Sequence, residues 1–246
     1  MKLVKYSEEF MNIGDVMQTV TLKDFILNKY EIDINEYSDR NNMSENDMII
    51  NGWQRHDKEN IPENAIFIGL HSEVKKMKNI KKDTIIGCRD LFTLKEVEKI
   101  PHLKGIFSGC STSMLPIYTG PRKGKEEYLH TDVKTGVVPF DKQIIMARKL
   151  IEELKTKELV TTNRLHIALP CIALGTPVII KKRQFQMERY TIFDAVPDFP
   201  GYNKIINSRS GVREFFIKTF TDSFEQIVVQ HPNFQKLLHE RSDLKT

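Results

Sequence analysis

The sequence predicts an α/β protein whose strands run parallel. One observation is the stretch Leu159–Lys182, LVTTNRLHIALPCIALGTPVIIKK, which reads strand, turn, helix, strand. A unit of that length fits a right-handed crossover between two parallel strands. A second observation is a set of apolar runs, Met48–Ile50, Ala65–Leu70 and Thr84–Cys88, each ending in polar or charged residues. Apolar runs of this kind suit strands buried on both faces, and ligands of open α/β sheets bind where such strands end.

The elements follow in order. Met1–Lys5 reads as a first strand at a sheet edge. Gly14 permits a tight turn and Asp15 favours a helix start, after which Val16, Val20, Phe25 and Leu27 give a partly helical stripe. Residues 31–47 are polar and read as a surface loop. The strand at Met48–Ile50 closes on Asn51-Gly52-Trp53, and the strand at Ala65–Leu70 is followed by His71. Arg89-Asp90 ends the third strand, and Thr93-Leu94-Lys95-Glu96 has the pattern of a capping box that opens a helix. Gly105-Ile106-Phe107 runs into the hydroxyl-rich turn Ser108–Ser113. Successive N–H groups in such a turn can nest a phosphate, although no Gly-Lys-Ser/Thr follows to make it a P-loop. Residues 116–125 read as a loop, Val133–Phe140 as a short strand, and Asp141 as the cap of an amphipathic helix carrying Ile144, Ala147, Ile151 and Leu154. In the strand–helix–strand unit Asn163 reads as the N-cap and Gly175 as the C-terminal stop before Pro177. Residues 194–207 read as a loop, and Gly211–Val229 as a last amphipathic helix with Val212, Phe216, Phe220 and Phe224 on its apolar side.

Composition bounds the function. The 246 residues make one large domain or two small ones. A balance of 37 basic against 33 acidic residues is too even for a nucleic-acid binder by charge alone, and suits a small anion in a local basic pocket. No apolar run reaches membrane-span length, so a cytoplasmic protein is expected. The cluster Lys75, Lys76, Lys78, Lys81 and Lys82 reads as a solvated face. Cys88, Cys110 and Cys171 form no CxxC pair and read as buried thiols rather than metal ligands; Cys110, after Gly109, is a weak candidate nucleophile with no local base.

The chemistry concentrates at Arg164 and His166. Both fall in the first turn of the predicted helix, beside unsatisfied N–H groups and the positive end of its dipole. Arginine adds a planar fork for carboxylate or phosphate, and histidine a proton carrier near neutral pH. His71 and Arg89 share the other predicted sheet edge, whereas His102, His231 and His239 read as surface residues.

Several of these runs together resemble the polysaccharide pyruvyl transferase family. The resembling residues are Asn12-Ile13-Gly14-Asp15 with Gln18, Asn51-Gly52-Trp53, Arg89-Asp90 before a helix, and Ser108-Gly109-Cys110. They continue in Arg164-Leu165-His166 with Ala168–Cys171 and Leu174–Val178. The match spans about residues 12–190; Ser113 departs from a more usual threonine but keeps the hydroxyl, and the N-terminal part is short for the family. The resemblance implies two Rossmann-like parallel-sheet domains facing a cleft, similar to GT-B glycosyltransferases. Residues 1–110 would form the acceptor side and 111–246 the donor side, with the C-terminal helix packing back. It implies transfer of an enolpyruvyl unit from phosphoenolpyruvate to a sugar, glycan or nucleotide sugar, with no metal and no other cofactor. His166 is then the expected general acid, Arg89 and Arg164 the anion ligands, and His71 and Asp15 groups on the acceptor side. Gly14, Asn51, Trp53, Ser108, Gly109 and Ser111 join them as expected substrate contacts, with Lys182 and Arg189 as the basic residues beyond the last strand. Two alternatives stay open: a GT-B-type glycosyltransferase using a nucleotide sugar, and a non-catalytic sugar-binding relative. Self-association is open as well.

Overall fold

The computed structural model describes residues 1–5, 12–39, 48–53, 65–73, 77, 80–128, 137–182, 187–208 and 210–243. Two sheets organise them. The first contains β1 (Lys2–Lys5), β2 (Tyr37–Asp39), β3 (Met48–Trp53), β4 (Ile66–His71), β5 (Ile85–Cys88) and β6 (Lys104–Phe107), in the order β2-β1-β3-β4-β5-β6. Every pairing in it is parallel. The central β4 is buried along its whole length, which is why its sequence is apolar without alternation. The second sheet contains β7 (Lys125–Tyr128), β8 (Leu159–Thr162), β9 (Val178–Ile180) and β10 (Ile205–Ile206), in the order β10-β9-β8-β7. Only β10 runs antiparallel. The protein is thus α/β, with two Rossmann-like sheets.

The helices are α1 (Ile13–Tyr30), α2 (Leu91–Glu98), α3 (Phe140–Lys155), α4 (Leu165–Leu174), α5 (Thr191–Asp194), α6 (Val212–Phe224) and α7 (Pro232–Asp243). Among the described residues none is long and apolar enough to cross a membrane. One core joins α1 and the strands of the first sheet to α3, α4 and the second sheet. The opposite face of α1 packs into an aromatic cluster, where Phe25 meets Phe220 and Phe224 edge-on at 5.7 and 5.1 Å and Tyr30 stacks on Phe224 at 5.5 Å. Those phenylalanines belong to α6, which continues into a π-helical turn at Glu225–Val229 that packs on β4 and β5.

Several local expectations are corrected. β1 is an interior strand; the edge is β2, which lies in the polar segment read as loop. Ile32 and Ile34 are buried just before β2, so two isolated apolar residues anchor a segment whose average is polar. β7 starts at Lys125, the last residue of the expected loop, and was unforeseen. Of the strand expected at 133–140, residues 133–136 fall outside the described residues and Phe140 already opens α3. Asp141 sits in the first turn of α3 rather than at its cap. The start of α1 is capped by Asn12, whose Oδ1 accepts from Gly14 N–H at 3.1 Å, so Asp15 is inside the helix. α2 begins two residues before the expected capping box: Asp90 is its N-cap and Thr93 its third residue. α7 and the short β10 were unforeseen.

Candidate active site

The chain reverses direction across the first sheet between β1 and β3, and α1 starts at the carboxyl end of β1. Such a switch point leaves a crevice beyond the strand ends. Parallel register brings the strand ends level. Trp53 pairs with His71, Leu70 with Cys88, and Cys88 with Phe107. His71, Arg89 and Ser108 therefore emerge side by side along one edge, with the buried Asn51 at the end of β3.

Asp90 ties this edge together. Its Oδ1 caps α2, accepting from Thr93 N–H at 2.9 Å and Thr93 Oγ1–H at 2.8 Å. Its Oδ2 lies 2.7 Å from His71 Nδ1 and accepts from Arg89 Nε–H at 3.2 Å. Burial alone would raise the Asp90 carboxyl; the hydrogen bond from His71, the charges of His71 and Arg89 and the Thr93 N–H hold it below the usual carboxylate range. Arg89 is 1% exposed, and its Nη2 is buried without a hydrogen-bond partner among the described residues. One carboxylate shared with a histidine leaves that guanidinium incompletely satisfied. An unsatisfied buried donor costs about 1–3 kcal/mol, more when charged, unless a ligand completes it.

The second sheet delivers α4 to the same place. β8 ends at Thr162, whose Oγ1 accepts from Arg164 N–H at 3.0 Å. Arg164, not Asn163, occupies the N-cap, and Gly175 ends the helix in the left-handed conformation at φ 70° as expected. Pro170 has no N–H to offer the carbonyl four residues back, which is that of His166. The side chain of His166 packs closely against Gly14 in the first turn of α1. A β-carbon at Gly14 would fall 2.6 Å from Cδ2 of His166 and closer still to Cβ and Cγ, so glycine is required for this approach. His166 Nε2 is 3.6 Å from Asp15 Oδ1, beyond hydrogen-bond length, and Asp15 accepts from Gln18 Nε2–H at 3.1 Å. Among the described residues His166 Nδ1 is buried without a hydrogen-bond partner, as is Ser72 Oγ beside His71.

The electrostatics of the joint are positive. Burial, then the charges of Arg89, Arg189, His71 and Arg164, hold His166 well below the ordinary imidazole range. Asp15 at 3.6 Å argues the other way, but one carboxylate beyond hydrogen-bond length does not outweigh burial and three guanidinium groups. His71 is lowered too, by burial and Arg89, against the opposing pull of Asp90. Both histidines are therefore neutral at neutral pH in the unliganded protein. This arrangement can hold a small, multiply charged anion and pass protons to it.

No family model matches the chain, and no curated protein sequence matches it. Among solved structures, that of a functional uncharacterized protein from Klebsiella pneumoniae subsp. pneumoniae is similar to it. The TM-score is 0.55 at 16% identity, covering 78% of this chain and 87% of that one. At that identity the likeness concerns the fold alone.

The other expected site residues sort as follows. Ser108 Oγ accepts from Gly69 N–H at 3.1 Å, and Ser111 Oγ donates to the Gln18 carbonyl at 2.8 Å, so these hydroxyls join the turn to β4 and α1. Gly109 has φ 69° and allows the turn. Lys182 is exposed with its Nζ 4.7 Å from the centre of the Tyr202 ring, whereas the charge of Arg189 reaches both His71 and His166. Trp53 ends β3 beside His71. Lys75, Lys76 and Lys78 lie outside the described residues, and Lys81 and Lys82 are exposed. Half-buried His102 has its Nε2 3.3 Å from the Ile80 carbonyl. Cys110 is fully buried, donates its thiol to Gln18 Oε1 at 3.3 Å and is pushed up by burial, which opposes a nucleophilic role. Among the described residues no group of three His, Cys, Asp or Glu is arranged to hold a metal. Sequence reasoning missed Thr93 and the hub role of Asp90. The adjacent Arg89-Asp90 pair was the available signal.

Proposed function

We propose that this protein transfers an enolpyruvyl unit from phosphoenolpyruvate to a sugar, free or part of a glycan or nucleotide sugar, forming a pyruvate ketal and phosphate. The observation that carries the reading is the buried, incompletely bonded Arg89 beside a neutral His166 that also feels Arg164 and Arg189. Phosphoenolpyruvate carries a carboxylate and a phosphate on the same carbon, and three arginines around one histidine match that charge. Burial and the arginine cluster also raise a question of timing, because together they keep His166 neutral while the site is empty. The arriving anion offsets them and raises the proton affinity of His166. The histidine thereby becomes an acid only where there is a substrate to protonate. Its proton goes to the methylene carbon, and positive charge develops at the neighbouring carbon, where the sugar hydroxyl attacks.

The test is incubation with phosphoenolpyruvate and a panel of sugars and nucleotide sugars. Phosphate release with a product heavier by a pyruvate ketal supports the reading. Release of a nucleoside diphosphate from a nucleotide sugar, with phosphoenolpyruvate untouched, replaces it with glycosyl transfer.

A further inference from the structure

The hydrogen bonds around His71 can be assigned directions. Asp90 is ionised and only accepts. Its Oδ1 takes the Thr93 hydroxyl hydrogen at 2.8 Å, and a hydroxyl has one hydrogen to give. Thr93 Oγ1 therefore acts as acceptor toward Ser72 N–H at 3.2 Å and toward His71 Nδ1 at 3.3 Å. Asp90 Oδ2, 2.7 Å from the same Nδ1, is also an acceptor. Two acceptors converge on Nδ1, so Nδ1 carries hydrogen whether the ring is neutral or charged. Nε2 is then the nitrogen that gains and loses a proton.

We infer that His71 is the base that removes the proton from the attacking acceptor hydroxyl at Nε2, and that Asp90 is the positioning residue that locks its tautomer. The inference rests on the pyruvyl transfer proposed above and adds the second half of its proton traffic. His71 ends β4 next to Trp53 at the end of β3, so it adjoins the strand that carries Asn51 and lies within electrostatic reach of His166 on α4. The residue pair is sealed: the His71 side chain is 9% exposed and that of Asp90 is fully buried. In that setting the carboxylate cannot swing away, and the imidazolium formed during the step is stabilised by it.

The balance closes. Ketal formation forms two C–O bonds to the central carbon and one C–H bond at the methylene carbon, and breaks the π bond between those carbons and the central carbon's bond to the phosphate oxygen. The acceptor gives up two hydroxyl protons. One replaces the proton that His166 delivers to the methylene carbon, and one leaves with the phosphate. His71 carries a hydroxyl proton during the attack and releases it before the next turnover. No oxidant, reductant or further reactant is needed.

The experiment uses His71→Gln and Asp90→Asn in the full chain. Asparagine caps a helix as well as aspartate, so Asp90→Asn retains the start of α2 while removing the charge. His71→Gln should lose about 10²–10⁴-fold in turnover, the usual worth of a positioned base, with phosphoenolpyruvate affinity within about threefold of wild type. The rising limb of its pH–rate profile should disappear. In wild type, ¹⁵N NMR should report hydrogen on Nδ1 of neutral His71; in Asp90→Asn the tautomer should flip to Nε2–H and turnover should fall. A purely structural pair would lower the melting temperature but leave the rising limb in place, which overturns the inference, as does an Nε2–H tautomer in wild type. If wild type transfers pyruvate and His71→Gln does so at a similar rate, only this inference falls. If wild type transfers none to any sugar, the functional reading falls and takes the base role with it.

Discussion

At the carboxyl edge of the first sheet, Arg89, Asp90, His71 and Thr93 hold one another through contacts of 2.7–3.3 Å. Where the second sheet meets them, among the described residues His166 has one ring nitrogen buried without a hydrogen-bond partner and the other 3.6 Å from the Asp15 carboxylate. The first region is built before a ligand arrives; its charges are paired and its histidine has a set orientation. The second keeps its histidine neutral by burial and by the charges of Arg89, Arg189 and Arg164, a state that the proposed anionic substrate would reverse. The difference separates two kinds of residue: those whose removal damages the protein and the chemistry together, and those whose removal damages the chemistry alone.

The largest effect should come from the second region. His166→Gln should keep the fold, because the imidazole makes no close hydrogen bond that glutamine would forfeit. Turnover should fall by about 10²–10⁴-fold, as expected for a lost general acid. Melting curves beside initial rates check it. A variant that melts normally and turns over at a near wild-type rate would remove His166 from the mechanism.

The arginines sharpen the contrast. Arg89→Ala and Arg164→Ala should each weaken phosphoenolpyruvate binding by roughly 1.5–3 kcal/mol, about tenfold to a hundredfold, the range for a charged hydrogen bond. Arg89→Ala should also lower the melting temperature, because it strips a cation from the buried Asp90. Calorimetric titration with melting curves decides between them. Equal loss of stability in both variants would erase the distinction between the regions.

Gly14→Ala addresses the seam itself. The added methyl must displace the His166 ring, and overpacking of this kind costs about 1–3 kcal/mol. Chemical denaturation should show that loss, and turnover should fall because the ring moves relative to Asp15 and Arg89. An alanine variant with wild-type stability would mean that the ring has room to shift.

Much of this was legible in the sequence, for identifiable reasons. Parallel strands buried on both faces leave unbroken apolar runs, so β3, β4, β5, β8 and β9 could be read directly. Their ends carry the candidate site side chains, so Arg89, His71, Arg164 and His166 could be placed at sheet edges. β2, β7 and β10 could not, because each is two to four residues long and polar or isolated, and becomes a strand only by pairing with a neighbour. The caps of α2 and α4 were misplaced because Thr93 and Asn163 have the right chemistry one or a few residues from the residue whose backbone turns. Asp90 as the partner of His71 was illegible for a different reason: the two are 19 residues apart and meet only through the register of β4 and β5.

The smallest effect is the most specific test of the comparison. Both histidines have proton affinities lowered by burial and Arg89, so the unfolded chain binds more protons than the folded one below about pH 6.5. Stability of the unliganded protein should therefore decline as pH falls from about 6.5, by at most about 1.4 kcal/mol per pH unit for each proton involved. A bound anion should change only one of the two contributions. His71 keeps its Asp90 partner with or without ligand, whereas His166 has its proton affinity raised by the added negative charge. Binding of phosphoenolpyruvate near neutral pH should then take up a fraction of a proton, and the pH dependence of stability should flatten. Calorimetric titration in buffers of different ionisation enthalpy measures that uptake directly. It should vanish in His166→Gln and persist in His71→Gln. Uptake that survives in His166→Gln would assign the ligand-sensitive proton to the first sheet edge, and reverse which of the two regions waits for its substrate.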